Sequence, residues 1–166
     1  MIHNTQEFLE GYGWESEITA KVLGNVTDAS MGLEKAPGHL NLGQLAWHIA
    51  SAPAMMLRQT EFDLPDHGWM PPADLSAAKI QQTYAADTAA IKEQVARKTP
   101  EDLAKVFHVF GMMDWNVNQM LDALIVHEVH HRGQLSVLMR QAGLVVPSIY
   151  GPNAEETAEM MKNMQG

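Results

Sequence analysis

Residues 115–142 read WNVNQMLDALIVHEVHHRGQLSVLMRQA. Val117, Met120, Leu124, Leu135 and Leu138 recur at the helical interval, and no proline interrupts them. Gly143 follows as the expected left-handed stop. The spacing predicts one helix from about Trp115 to Ala142, roughly 40 Å long at about 1.5 Å per residue. On a helical wheel with His127 at the origin, the apolar residues fall between about 20° and 80°. His131 lies about 40° round and one turn further along the same stripe, whereas His130 lands near 300°. His127 and His131 therefore share the core-facing stripe, and His130 points away from it. Two neutral imidazoles one turn apart and aimed inward can bind one divalent ion.

Upstream, the pattern is helical again. Thr5 to Thr27 carries Phe8, Tyr12, Ile18, Val22 and Val26 at helical intervals, and a loop with a short turn of helix follows through Ala36-Pro37-Gly38-His39. Asn41 then caps a second helix, Leu42 to about Thr60, with Gln44 at the reciprocal capping position. Leu45, Ile49, Ala52 and Met56 share one face of it, and a kink or lost backbone bond is expected at Pro53. From Asp63 to Leu75, Pro65, Gly68, Pro71 and Pro72 forbid regular structure. A loop of that length joins elements that are not simple antiparallel neighbours, or it lines a site. A third helix spans about Ser76 to Lys98, and Thr99-Pro100-Glu101-Asp102 starts a short helical turn. Lys105 to Asp114 is apolar and partly β-branched, which fits a strand or a loop equally. The tail ends in a helix, Asn153 to Asn163. The expected fold is all-α: four principal helices over residues 1–152, with a helical tail, 153–166, packed on the same domain.

Composition narrows the function. The chain has 166 residues, 46% hydrophobic and 19% charged, enough apolar material for one core. It has no cysteine, which excludes disulfides, Cys-ligated zinc, iron–sulfur clusters and a thiol nucleophile. A formal charge of −9 without a basic patch argues against nucleic-acid binding. No apolar run is long enough for a membrane span. No signal-peptide pattern opens the chain, so a cytoplasmic location is expected.

Eight histidines remain the best soft ligands. His48, in Leu45-Ala46-Trp47-His48-Ile49-Ala50, sits at the edge of the second helix's buried stripe, as His127 does on its own helix. A site of His48, His127 and His131 between facing helices would leave coordination positions open for water or substrate, which suits a catalytic ion. His3, His39 and His67 read as solvated, and His108 lies in the apolar connector, with a site-lining role as its alternative. Glu128, at about 100° on the wheel, is inward. It reads as a partner for Arg132, as an acceptor from a ligating imidazole, or as the catalytic base for a metal-bound water or thiol. Trp47, Trp69 and Trp115 read as core filler and loop anchors, and twelve methionines make the interior adaptable.

These residues resemble the DinB/YfiT-like superfamily of small helical metalloenzymes. The resemblance rests on Leu45-Ala46-Trp47-His48-Ile49-Ala50, on His127-Glu128-Val129-His130-His131-Arg132-Gly133-Gln134, on Arg140-Gln141-Ala142-Gly143 and on Val146-Pro147-Ser148-Ile149-Tyr150-Gly151-Pro152. It implies a four-helix bundle with a long crossover between helices two and three. It also implies a nickel or zinc ion on His48, His127 and His131 with water completing the shell, a small-molecule substrate and a homodimer. Relatives include thiol-dependent S-transferases and an isomerase that use low-molecular-weight thiols. Arg132 and Arg140 would suit the carboxylate of such a thiol, although surface pairing is the simpler role for both.

Two other readings stand beside this one. His127-Glu128-Val129-His130-His131 also satisfies the His-Glu-x-x-His pattern of zinc proteases, with Glu155, Glu156 or Glu159 as a third ligand. Alternatively, the chain is a non-catalytic helical module that binds a structural ion or a protein partner.

Overall fold

In the computed structural model, which describes residues 2–34 and 38–164, the chain is mostly helical, with six α-helices and one two-stranded sheet. The helices are α1 (Thr5–Gly24), α2 (Leu42–Leu57), α3 (Ala77–Val95), α4 (Pro100–Ala104), α5 (Val117–Gln141) and α6 (Ala154–Met164). The strands β1 (Val106–Val109) and β2 (Met113–Asn116) lie between α4 and α5, and a 3-10 turn, Asp28–Ser30, follows α1. Ala36 and Pro37, in the loop where a further helical turn was expected, lie outside the described residues. No described helix is long and apolar enough to cross a membrane.

Helix α2 packs against α3 and α5, and α1 packs against the same two. Of the residues of α2, all but Gln44 and Met55 are buried, including Pro53. A helix that is apolar on every side must be enclosed on every side. Its start is fixed twice over. Gln44 N–H donates to Asn41 Oδ1 at 2.8 Å, and Asn41 N–H donates to Gln44 Oε1 at 2.9 Å, the reciprocal cap expected there. Gly43 then abuts Met31 so closely that a Cβ at this position would lie 2.7 Å from the Met31 Cβ. Only glycine permits that approach.

Helix α5 carries the same type of cap. Gln119 N–H donates to Asn116 Oδ1, and Asn116 N–H donates to Gln119 Oε1, each at 2.9 Å. It begins later than the periodicity suggests because Trp115 and Asn116 complete β2. The ambiguous apolar connector is thus an antiparallel hairpin, with Val106 opposite Asn116 and Val109 opposite Met113. Its turn closes where Met112 N–H donates to Val109 O at 3.1 Å. Phe110 and Gly111 have φ of +54° and +66°. Glycine adopts this region freely, but the left-handed conformation costs a side-chain-bearing residue such as phenylalanine roughly 1–2 kcal/mol.

Two apolar clusters form the core. One gathers Phe8, Tyr12, Leu57, Ile91, Leu121 and Leu124; the other gathers Val22, Leu42, Ile49, Ile80, Leu135 and Met139. Between them in sequence, α1 contributes buried Ser16 and Thr19, and α5 contributes buried Glu128 and Arg132. A polar belt therefore interrupts the core midway along these helices. Helix α6, expected as a tail packed on the same domain, buries none of its side chains. It is tied on by polar contacts, with Glu155 on Arg140 and Glu156 on Ser148.

Candidate metal centre

The helices bring His48, His127 and His131 together. One ring nitrogen from each lies within 4.8 Å of the other two, the spacing needed to share one ion. The rings of His127 and His131 are 4.4 Å apart between centroids, and His48 lies 4.5 Å from His131 and 5.0 Å from His127. The Nε2 atoms of His48 and His127 are 3.3 Å apart.

Hydrogen bonds settle which nitrogen is free. The Gln134 amide oxygen can only accept, so at 2.8 Å it receives a hydrogen bond donated by His131 Nδ1–H. That leaves the His131 Nε2 lone pair for a cation. The amide NH2 of the same glutamine donates to His130 Nε2 at 3.0 Å. An outer partner that fixes the tautomer of a histidine is the usual support for a metal ligand. Trp69 meets the His48 ring edge-on, with centroids 5.3 Å apart.

Protonation favours ligation as well. Burial, followed by the His131 ring beside it, lowers the His48 pKa to about 4. Burial and its three histidine neighbours lower that of His127 to about 4. Burial also lowers that of His131, against the opposing Gln134 bond. All three are therefore neutral lone-pair donors near neutrality, and the donor set fits a borderline divalent cation such as zinc or nickel.

The same shifts predict how the metal-stripped protein responds to acid. Unfolded histidines take up protons near pH 6.5, whereas folded His48 and His127 resist until about pH 4. Over that window the unfolded state binds more protons, so stability falls as pH falls. Thermal melts of stripped protein from pH 7 to pH 4 are expected to show this decline, and a shallower one for His48→Gln. Parallel curves for the two proteins would contradict it.

Glu128 is not with them. It is buried on the other flank of α5, where Tyr84 O–H donates to its Oε1 at 2.7 Å and its Oε2 has no hydrogen-bond partner among the described residues. Burial raises its pKa. Glu128, expected as the catalytic base, lies apart from the three histidines: the buried stripe of α5 centres on Glu128 and Arg132, with His127 and His131 at its half-buried edge. Arg132 is enclosed, and its guanidinium donates to Glu15, Thr19 and Tyr150. Arg140 is paired with Glu155. Neither arginine reaches the histidines, so neither serves there as a thiol-carboxylate anchor. The protease-like third ligands also fail, because Glu155 and Glu156 are held by Arg140 and Ser148 and all three tail glutamates lie outside the cluster.

His3 and His39 are exposed, as expected. His67 is not merely solvated: its Nε2–H donates to the buried Asp87 carboxylate at 2.8 Å, and its ring meets Trp47. His108 is exposed and bonded to Asp114. His130, expected to point away, borders the same cleft as the three ligand candidates, as do Trp69 and Trp115. The long proline-rich crossover was the signal available for Trp69, since such loops line sites. The hairpin that supplies Trp115 and Phe110 left no such mark.

A mostly helical chain with three convergent imidazoles is the class that this fold and site define. Its sequence matches the DinB family model over residues 1–164, and the chain belongs to the DinB family. It is 35% identical over 162 residues to the uncharacterized protein YrdA of Bacillus subtilis (strain 168), covering 96% of this chain and 95% of that protein. Among solved structures, a DinB-like protein from Bacillus cereus superposes with a TM-score of 0.82 at 37% identity, over 90% of this chain and all of that one. A DinB-like protein of Bacillus subtilis, YjoA, shares the fold at a TM-score of 0.61 and 19% identity, over 90% of this chain and 98% of that one.

Proposed function

We propose that the chain is a metal-dependent enzyme of the DinB four-helix-bundle type, acting as an S-transferase or hydrolase on a small molecule. His48, His127 and His131 hold one divalent transition ion, nickel or zinc. The observation that carries this reading is the mutual approach of three neutral ring nitrogens from α2 and α5. Once bound, such an ion acidifies a coordinated thiol or water and polarises an electrophile. The protein's own groups orient and shield. Gln134 holds the His131 ring in the ligating tautomer, and Trp69 covers one edge of His48. Three ligands from the chain leave positions for a low-molecular-weight thiol, water or substrate.

Metal analysis of protein purified without a histidine tag tests the reading. About one equivalent of ion is expected in the parent protein, with loss in His48→Ala, His127→Ala and His131→Ala. His130→Ala is expected to keep its metal. Undiminished metal in His48→Ala would remove α2 from the site.

A further inference from the structure

The cleft above the three histidines has walls unlike its floor. It encloses about 790 Å³, within the roughly 300–1,000 Å³ typical of small-molecule sites. Five segments build its walls: Leu40 ahead of α2, Met56 from α2, Trp69 from the crossover, Phe110, Met113 and Trp115 from the hairpin, and Val126 from α5. Among the described residues, and apart from indole N–H groups, the only polar side chains around it are His48, His127, His130 and His131. Among the described residues no lysine, arginine, aspartate or glutamate borders it.

Several wall residues are exposed in the described structure. Trp69 is 64% exposed, Val126 68% and Phe110 37%. Phe110 also holds the left-handed backbone conformation that hairpin turns ordinarily give to asparagine, aspartate or glycine. Its N–H donates to Gln59 Oε1 at 3.2 Å, which ties the turn to the end of α2. A bulky residue kept at a position that disfavours it, bordering a cleft, points to a role in that cleft. Flat aromatic walls over imidazoles, inside a chain of net charge −9, suit a flat neutral molecule and oppose an anion.

We infer that this cleft binds an uncharged aromatic small molecule as the substrate of the histidine centre, with Trp69, Phe110 and Trp115 as its aromatic walls. The inference builds on the reading of the histidines as the reactive end, but binding to the walls requires no ion. It also sets aside an anionic thiol as the partner that the cleft selects.

The test uses 2-naphthol and its anionic counterpart 2-naphthoate, in equilibrium dialysis against the full chain as purified and after metal removal. Saturable 2-naphthol binding is expected in both preparations. In the stripped protein it should be about tenfold or more tighter than 2-naphthoate, because burying a carboxylate without a partner is costly. Phe110→Asn should melt no lower than the parent, since the turn is relieved, yet bind 2-naphthol about tenfold more weakly. Val126→Asp, on the exposed wall of α5, should weaken it as well. Absent 2-naphthol binding, equal affinity for the two ligands, or parental affinity in Phe110→Asn would overturn the inference. So would a dimer that dissociates on Phe110→Asn without any naphthol binding, which would assign the rim to a second copy. Naphthol binding by a protein that retains no metal would leave this inference standing and remove the metal reading instead.

Discussion

Arg132→Met is expected to lower the unfolding free energy by about 3–5 kcal/mol, the usual cost of removing one partner from a buried ion pair. The guanidinium is 1% exposed and sits 2.5 Å from Glu15 Oε2. It also donates to Glu15 O and Thr19 Oγ1, and Tyr150 O–H donates to the same Glu15 carboxylate at 2.8 Å. Removing Arg132 leaves that carboxylate half-enclosed without its cation and removes the guanidinium's bond to Tyr150. Urea unfolding measures the loss. The double variant Arg132→Met, Glu15→Met is expected to recover much of it, because replacing both partners with apolar groups avoids the orphaned charge. A single variant within about 1 kcal/mol of the parent would mean that the polar belt contributes little to the fold.

The second large effect concerns Gln134, which touches no ion itself. Gln134→Leu is expected to weaken metal binding about 10–100-fold, the range seen when an outer partner of a ligating histidine is removed. Without the acceptor at His131 Nδ1, the ring is free to rotate and to place its proton on the nitrogen that should ligate. The side chain lies on an exposed position of α5, so the melting temperature of the metal-stripped protein should stay close to the parent's. Competition titration against a chelator gives the affinity. Equal affinity in the two proteins would show that the glutamine bonds are incidental.

The sequence carried most of the helical frame because its signals are local. Asn41 with Gln44 and Thr99 ahead of Asp102 cap helices where the sequence places helix starts. The His127–His131 stripe and its partnership with His48 were legible for the same reason, since one helical turn separates the pair and α2 has a single histidine. The wheel was less informative about depth. It placed His127 and His131 beside the apolar residues but could not show that α1 and α3 cover Glu128 and Arg132 while the histidines remain at the edge. That distinction depends on which helices pack on which face. Phe110 and Trp115 were equally hidden, because the turn places phenylalanine ahead of Gly111 where asparagine, aspartate or a second glycine would announce a hairpin. The His67–Asp87 bond joins positions twenty residues apart across an irregular loop, and no periodicity encodes it.

The central claim is that imidazoles from two distant stretches of chain share one cation. Anomalous diffraction at metal absorption edges, from crystals of tag-free protein, tests it most directly. One peak within bonding reach of the His48, His127 and His131 rings is the expected result. Crystals without such a peak, or with an ion held by other residues while the His48 ring stands apart, would contradict it.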